Sequence, residues 1–342
     1  MLETLANCTG VLEKAVQCSH GVQSRIYVSL AGWNVEVIAP SVLYAEMCKR
    51  ALMGVLKSKP EVIDFTIIAA DGELTKQVMP TPFKFGGLEV RDREKLRREH
   101  GLQYATIETP HIVQLFDERR RVGVQLTCDN GVLPPWEPGS VLKSFSYWIA
   151  LQNKMFMQHA GTVFENSKGL LFVGRGGSGK SGTVLAGLCA GMKSCGDDHV
   201  AIEFSETIKA RSIYSLMKQD QVGMERCGFE PAQFSQIKRN WQNKIETRPE
   251  AIGLPAIEAN GPVSAIVFPQ VENNPESSFK EIAFKDILDG LVPSNRAEGP
   301  GNLSQSIAYT LRLFKSLPIY RLSLGSDAKH VAQSVRRIME LC

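Results

Sequence analysis

FVGRGGSGKS, residues 172–181, decides how this chain folds. Within it, Gly174, Gly179, Lys180 and Ser181 match the pattern G-x-x-x-x-G-K-[ST]. The apolar segment GLLFV (169–173) before it predicts a short buried strand, and SGTVLAGLCAGM (181–192) after it has the apolar spacing of a helix. Strand, loop and helix follow one another directly, which is the context that this phosphate-binding pattern requires.

The glycine-rich loop is a candidate nucleotide site because it presents backbone rather than side chains. Its glycines allow N–H groups to converge on a phosphate at the positive end of the next helix. Lys180 adds a point charge for the terminal phosphates, and the Ser181 hydroxyl is a ligand for Mg²⁺. We therefore predict that ATP and Mg²⁺ bind through Gly174, Arg175, Gly176, Gly177, Ser178, Gly179, Lys180, Ser181 and Gly182. The alternative is a glycine-rich turn without a ligand.

Two adjacent carboxylates follow the loop. Asp197 and Asp198, in CGDDHV (195–200), come just before the apolar segment VAIEF. A helix and a turn between Lys180 and this pair would return the chain to the edge of the sheet beside the loop. One carboxylate would then hold Mg²⁺ and the other would accept a proton from an attacking hydroxyl. The alternative is an Asp-Asp turn that only caps the next element.

His159 precedes the loop in the segment HAGTVFENSKGLLFV (159–173). Its position predicts the start of a strand hairpin that leads into the loop. A single histidine is more often a packed or surface residue than a catalytic one, and that alternative stays open on pattern alone.

Composition narrows the class of protein. The 342 residues are 43% hydrophobic and 22% charged, as in a globular protein, and the net charge of +3 gives no electrostatic reason to expect a nucleic-acid partner. No apolar run approaches the roughly 20 residues that cross a membrane. The eight cysteines show no zinc-like spacing, which is typical of reduced thiols. The first residues also lack the pattern of a secretory signal. We therefore predict a cytoplasmic protein with no nucleic-acid or membrane partner.

The turn-rich segment NGVLPPWEPGS (130–140) predicts a domain boundary. Residues 1–135 show short strands with one helix between them and two hairpins, which indicate an α+β N-terminal domain. No motif in it indicates a reaction, and we expect it to recognise a substrate or a partner. Residues 136–342 contain the glycine-rich loop, the strong strand VSAIVFPQV (263–271) and two C-terminal helices. They predict an α/β nucleotide-binding domain.

The segment HAGTVFENSKGLLFVGRGGSGKSGTVLAGLCAGMKSCGDDHVAIE (159–203) resembles the HPr serine kinase/phosphorylase family and its bacterial kinase-like relatives. Both spacings, histidine to loop and loop to Asp pair, are as that family has them, and the resemblance extends over residues 140–342. It implies a P-loop kinase domain of the HPr kinase/phosphoenolpyruvate carboxykinase type, with a mixed sheet flanked by helices. A smaller α+β N-terminal domain would precede this kinase domain.

The resemblance also implies roles for single residues. Lys180 would serve the transferred phosphate, Ser181 would hold the metal, Asp198 would be the catalytic base, Asp197 would support the metal or the acceptor, and His159 would lie near the transferred phosphoryl group. Lys218 and Lys244 are the preferred additional cations, with Arg175, Arg211 and Arg321 as further candidates. The acidic-Arg-Gly segment that serves the family's reverse reaction is absent after the Asp pair.

Three functions follow from these residues. The first is an ATP-dependent kinase that phosphorylates a hydroxyl, with serine as the expected acceptor, on a peptide, a small protein or a small metabolite. The second is a nucleotide-binding regulatory or interaction protein without phosphoryl transfer to a partner. The third, a carboxykinase-like enzyme, ranks last because it would need further His and Lys metal ligands. The resemblance also allows a homo-oligomer.

Overall fold

The computed structural model describes residues 2–79, 88–107, 111–128, 132–272, 274–287 and 303–342, with the backbone alone described at residues 2–6, 90, 303 and 304. The chain forms two compact units that divide between Gln152 and Asn153. The predicted boundary near residue 135 therefore lies earlier than the observed division. The helix after the turn-rich segment belongs to the first unit, because its Trp148 stacks on Phe116 of that unit's sheet at a centroid distance of 6.0 Å.

The first unit contains a six-stranded sheet with strand order β1-β2-β3-β6-β5-β4. Strands β2, β3 and β6 are parallel neighbours, and the other pairs are antiparallel. Its elements are α1 (Leu2–Ser19), β1 (Arg25–Leu30), β2 (Trp33–Ile38), α2 (Val42–Ala51), β3 (Phe65–Ala70), α3 (Gly72–Val78), α4 (Val90–His100), β4 (Leu102–Ile107), β5 (Ile112–Asp117), β6 (Val122–Thr127) and α5 (Lys143–Gln152).

The two faces of this sheet differ because successive side chains in a strand point to opposite sides. Ile68, Val124 and Leu126 pack with residues of α1 and α3 in one apolar cluster. The opposite face carries Phe65, Phe116, Gln114 and Gln125, and the Gln114 amide donates to the Gln125 carbonyl at 2.7 Å. The second face is therefore partly polar, although it is buried.

The second unit contains an eight-stranded mixed sheet with strand order β13-β10-β9-β7-β8-β14-β16-β15. Strands β8, β14 and β16 are parallel, whereas β7 is antiparallel to both β8 and β9. The elements are β7 (Met155–Glu165), β8 (Lys168–Val173), α6 (Lys180–Cys189), β9 (His199–Phe204), β10 (Ile208–Ser212), β11 (Met217–Gln219), α7 (Gln221–Arg226), α8 (Pro231–Phe234), β12 (Ile245–Thr247), β13 (Asn260–Pro262), β14 (Ala265–Val271), β15 (Ser278–Glu281), α9 (Leu303–Ser316), β16 (Ile319–Leu324) and α10 (Ala328–Leu341).

Helices cover both faces of this sheet. Alternate residues of β8 divide between two apolar clusters: Leu170 and Phe172 pack with α6 and α10, while Leu171 and Val173 pack with Phe314 of α9. This two-sided burial explains why GLLFV is apolar throughout instead of alternating. The predicted mixed α/β architecture, a mixed sheet flanked by helices, is confirmed.

The local predictions agree with this architecture, with differences at element ends. Both predicted hairpins of the first unit are present, as β1 with β2 and β5 with β6. The segment VLKSFSYWIALQNKMF (141–156) has apolar residues at helical spacing over its whole length and predicts one helix, but that helix ends at Gln152, because Met155 already pairs with Glu203 in the sheet. None of the eight cysteines, all in described parts of the chain, forms a disulfide. No described helix combines the length and apolarity needed to cross a membrane.

Candidate functional site

The glycine-rich loop connects β8 to α6 at the carboxyl ends of the parallel strands β8, β14 and β16. Gly174, Gly177 and Gly179 have φ values of 155°, 79° and 103°, a region that glycine adopts at little cost. A Cβ on Gly179 would overlap Leu324 Cδ1 at the end of β16. Backbone conformation and close packing both require glycine here, so the loop is a built structure and not flexible filler.

The Lys180 side chain folds over this loop. Its Nζ donates to the Gly174 carbonyl at 2.7 Å and to the Arg175 carbonyl at 3.2 Å, and the residue is 6% exposed. A buried ammonium group needs acceptors, and here the loop's own carbonyls supply them. The charge of Lys180 is thus concentrated at the loop that is predicted to bind phosphate.

A cavity of about 430 Å³ opens beside the loop. The loop forms one wall, and the carboxyl end of β14 with Asp286 and Arg321 forms the other. Ser178 Oγ is buried here without a hydrogen-bond partner in the described structure. A volume of this order falls in the range of small-molecule sites, which lie at the carboxyl ends of parallel strands in sheets of this kind.

Strand β7 joins the loop to the Asp pair. Val173, the last residue of β8, is opposite Ala160, and His199, the first residue of β9, is opposite His159. The Ala160 amide also donates to the Asp198 carbonyl at 3.0 Å. Since β8 and β9 flank β7, the start of the loop and the Asp pair lie at one level of the sheet, roughly 10 Å apart by ordinary strand spacing.

Asp198 lies among three side chains that can carry positive charge. Lys218 Nζ donates to Oδ2 at 2.7 Å, His199 Nδ1 lies 3.3 Å from the same oxygen, and His159 Nε2 lies 3.2 Å from Oδ1. The two imidazole rings stack at a centroid distance of 5.1 Å. Burial alone would raise the pKa of Asp198, but His199, Lys218 and the hydrogen bond from His159 outweigh burial and hold this pKa well below its usual range. Asp198 is therefore ionised at neutral pH.

Asp197 has a different environment although it is the next residue. It is 3% exposed; its Oδ2 accepts a hydrogen bond from the Lys218 amide at 2.9 Å, and its Oδ1 has no partner in the described structure. Burial, together with the charge of Asp198, raises the pKa of Asp197 to about 6. Adjacent carboxyl groups thus have pKa values displaced in opposite directions, which is a mark of functional sites.

The structure places the residues predicted from the sequence in three groups: the loop with the first turn of α6, the cluster around the Asp pair, and cations outside that cluster. The loop residues 174–178 line the cavity, Gly179 precedes α6, and Ser181 and Gly182 lie in the first turn of α6. His159, Asp197, Asp198 and Lys218 form one cluster. Lys244 is near enough for its charge to lower the pKa of Asp197, whereas Arg211 pairs with Glu203 at 2.7 Å instead.

Two contributors were not predicted from the sequence. His199 follows the Asp pair directly, but its position opposite His159 depends on strand pairing. Glu246, which is 4% exposed, is opposite Lys218 in the β11–β12 pair and favours the charged form of that lysine. The motif GDDH was the available signal for His199; Glu246 had none.

The donor set fits a hard divalent cation. Among the described residues no group of three or more His, Cys, Asp or Glu side chains is arranged to hold a metal ion by itself. The orphan Asp197 Oδ1 and the Ser181 hydroxyl are oxygen donors of the type that Mg²⁺ prefers, and phosphate oxygens and water normally complete its coordination. The residues present are therefore compatible with Mg²⁺ that arrives with a nucleotide.

Comparison with known proteins gives likenesses to solved structures but no match to a family model or a curated sequence. The structure of the Hpr(Ser) kinase/phosphatase from Coxiella burnetii matches 53% of this chain and 95% of its own, at 13% sequence identity and a TM-score of 0.29. No protein-family model matches the chain, and no curated protein matches it in sequence. The function proposed below therefore rests on the residues of the site.

Proposed function

We propose that this protein is an ATP-dependent kinase that transfers the γ-phosphoryl group to a hydroxyl, with serine as the expected acceptor. The observation that carries the proposal is the position of β7, which sets the glycine-rich loop on one side and the paired carboxylates on the other at the same level. Phosphoryl transfer requires this combination of a phosphate cradle, positive charge and a carboxylate near the attacking oxygen.

The loop and Lys180 bind the triphosphate in this proposal. The first-turn amides of α6 have no intrahelical acceptor and can donate to phosphate oxygens. Lys180 Nζ would exchange its contacts with the Gly174 and Arg175 carbonyls for phosphate oxygens. The cavity bounded by β14 and Arg321 would hold the nucleoside, since it adjoins the loop directly.

The acceptor hydroxyl would enter beside Asp198. Its oxygen forms the new bond to the γ-phosphorus as the bond from that phosphorus to the β-phosphate bridging oxygen breaks. The hydroxyl proton passes to Asp198, whose Oδ1 lies beside His159, and the released nucleoside diphosphate keeps the bonding electrons. Lys218 fixes Asp198 through its other oxygen and keeps it ionised until the transfer.

Asp197 and Ser181 would hold Mg²⁺. When bound, the metal supplies positive charge against the phosphate oxygens. Its coordination would give the orphan Asp197 Oδ1 a partner and favour the ionised carboxylate. The Asp198 side chain is 23% exposed and can meet an incoming acceptor, whereas Asp197 is almost fully buried. This difference favours Asp197 for the metal and Asp198 for the acceptor.

The test is transfer of label from [γ-³²P]ATP to serine-containing peptides and to small hydroxyl compounds, with Mg²⁺ present. The kinase proposal expects a labelled acceptor that disappears in Asp198→Asn. Asp327→Asn is the matched control, because Asp327 is an exposed N-cap where asparagine caps equally well. Tight ATP binding with no labelled acceptor, and at most slow hydrolysis, would contradict the kinase proposal. It would favour a nucleotide-binding regulatory protein instead.

A further inference from the structure

A second cavity, of about 340 Å³, lies in the first unit at the carboxyl ends of β3 and β6. The starts of α2 and α3 form its sides, and all of its lining residues belong to the first unit. It is therefore separate from the loop and the Asp pair, which belong to the second unit. Crevices at the carboxyl ends of parallel strands are common ligand sites.

The floor of this cavity is a buried polar network. Tyr44 OH donates to Glu137 Oε1 at 2.6 Å and accepts from Gln125 Nε2 at 3.0 Å. Glu137 is 3% exposed and also accepts from the Leu142 amide. Since every one of these partners is already engaged, the network holds the Tyr44 and Gln125 side chains in fixed positions.

Two polar groups at the cavity are not satisfied by the described protein. Thr127 is 3% exposed and lines the cavity, yet its hydroxyl makes no hydrogen bond to a described residue. Asp71 uses Oδ1 to cap α3, accepting from the Leu74 amide at 3.1 Å, and its Oδ2 has no partner in the described ranges. Both groups line the cavity, so the Thr127 hydroxyl and the Asp71 Oδ2 are available to a ligand or to water.

Strand register brings these two groups together. Ala70 pairs with Leu126 between the parallel strands β3 and β6. Asp71 and Thr127 are the next residues on each strand, so their backbones lie about 5 Å apart. One small molecule can therefore contact the carboxylate and the hydroxyl at once.

The charge of the lining residues determines which class of small molecule this cavity can bind. Glu73 and Lys76 at the rim pair with each other at 2.8 Å, whereas Asp71, which caps α3, forms no ion pair with a described residue. An anion would meet this carboxylate without a cation to offset it, whereas an ammonium group would pair with it. Apolar side chains complete the lining: Leu43, Tyr44, Ala69, Ala70 and Leu133.

We propose that this cavity binds a small organic amine, with its ammonium group on Asp71, a polar group or water on Thr127, and its hydrocarbon body against the apolar wall. The site would give the first unit a ligand of its own.

The experiment is an NMR titration of the full chain, labelled at alanine methyl groups, with n-pentylamine, pentan-1-ol and pentanoate as probes of one size and different charge. Ala69 and Ala70 report on the cavity, and Ala186, in the second unit, serves as the internal reference. We expect saturable shifts at Ala69 and Ala70 with pentylamine, and at least about tenfold weaker binding of the alcohol and the acid.

The variant Asp71→Asn tests whether the ammonium group binds to the Asp71 carboxylate, because asparagine keeps the N-cap while removing the charge. It should weaken pentylamine binding about tenfold without changing the reference methyl. Asp64→Asn is the matched control, since Asp64 accepts from the Asn34 amide and does not line the cavity. Absence of saturable shifts, equal binding of pentanoate or pentanol, or unchanged amine binding in Asp71→Asn would each overturn the proposal.

Discussion

Lys218 Nζ lies 2.7 Å from Asp198 Oδ2, although 20 residues separate them in the chain. The Lys218 backbone amide also donates to Asp197, so one residue of β11 contacts both members of the Asp pair. The lysine thereby gives the two carboxyl groups different partners: a charge for Asp198 and only an amide for Asp197. His199, this cation and the hydrogen bond from His159 together lower the pKa of Asp198 against its burial, whereas burial and the charge of Asp198 raise the pKa of Asp197.

Replacement of Lys218 should lower the free energy of unfolding at neutral pH, and this effect should disappear at acidic pH. Lys218→Gln removes the cation that favours ionised Asp198, and we expect a loss of about 1–3 kcal/mol, reduced from a fully buried pair because both side chains retain some exposure. The pKa of Asp198 is lowered in the folded state, so this stabilisation is present above its unfolded value of about 3.9 and is lost as pH falls below it. Urea unfolding at pH 7 and pH 3 measures it.

Exposed Lys209 on β10 provides the control, since Lys209→Gln should change stability by less than about 0.5 kcal/mol. Equal effects of the two substitutions at pH 7 would contradict the importance of the Lys218–Asp198 pair.

Asp197→Asn should have the opposite effect in the absence of metal and nucleotide. The folded pKa of about 6 exceeds the reference value of 3.8, so the ionised carboxylate opposes folding increasingly between these pH values and by a constant amount above them. We expect the variant to be about 1–3 kcal/mol more stable than the wild type at pH 8 and equal to it below pH 4. Thermal unfolding across this range is the measurement. If the variant were less stable than the wild type at pH 8, ionised Asp197 would not oppose folding and the argument from its raised pKa would be wrong.

Lys180→Ala should lower affinity for ATP by at least about tenfold, because the loop loses the charge that would contact the terminal phosphates. Isothermal titration calorimetry with Mg²⁺ present measures the change. Lys193→Ala is the control: Lys193 forms an exposed pair with Glu258 at 2.9 Å and lies away from the cavity. If both variants bound ATP as the wild type does, the loop would not be the phosphate site.

Asp198→Asn should abolish phosphoryl transfer while ATP affinity stays within about threefold of the wild-type value, because the proposed mechanism assigns Asp198 to the acceptor hydroxyl and the loop to ATP. Rapid-quench transfer assays and calorimetry on the same preparation separate the two quantities. Retained transfer would assign proton acceptance to another group. A parallel collapse of ATP binding would instead place Asp198 in the nucleotide site.

Gly179→Ala tests whether the shape of the loop depends on packing against β16. Gly191→Ala is matched to it, since Gly191 also has a positive φ, 82°, but no atom within 4 Å of the place that a Cβ would take. Conformational strain alone should cost Gly191→Ala about 1 kcal/mol, whereas overlap with Leu324 should cost Gly179→Ala about 1–3 kcal/mol more. Comparable losses of stability in urea would refute the packing argument.

Much of the architecture could be predicted from short stretches of sequence. The loop of residues 172–181, the hairpin of β1 and β2 and the helix α10 each have local signals: glycine positions, alternation or helical spacing. The end of α5 could not be predicted well, because residues 153–156 fit the same apolar pattern whether they continue a helix or start a strand. Pairing of Met155 with Glu203 settles that choice.

The candidate site likewise has parts that the sequence predicted and parts that it did not. The sequence by itself identified the glycine-rich loop, the Asp pair and His159 as candidate site residues, since each is a residue type at a fixed position near the others in the chain. Only the tertiary structure decided that His199 stacks on His159 and that Lys218 holds Asp198. The reason is that these contacts depend on which strands become neighbours, and neighbours are selected by burial over the whole sheet, which no local pattern records.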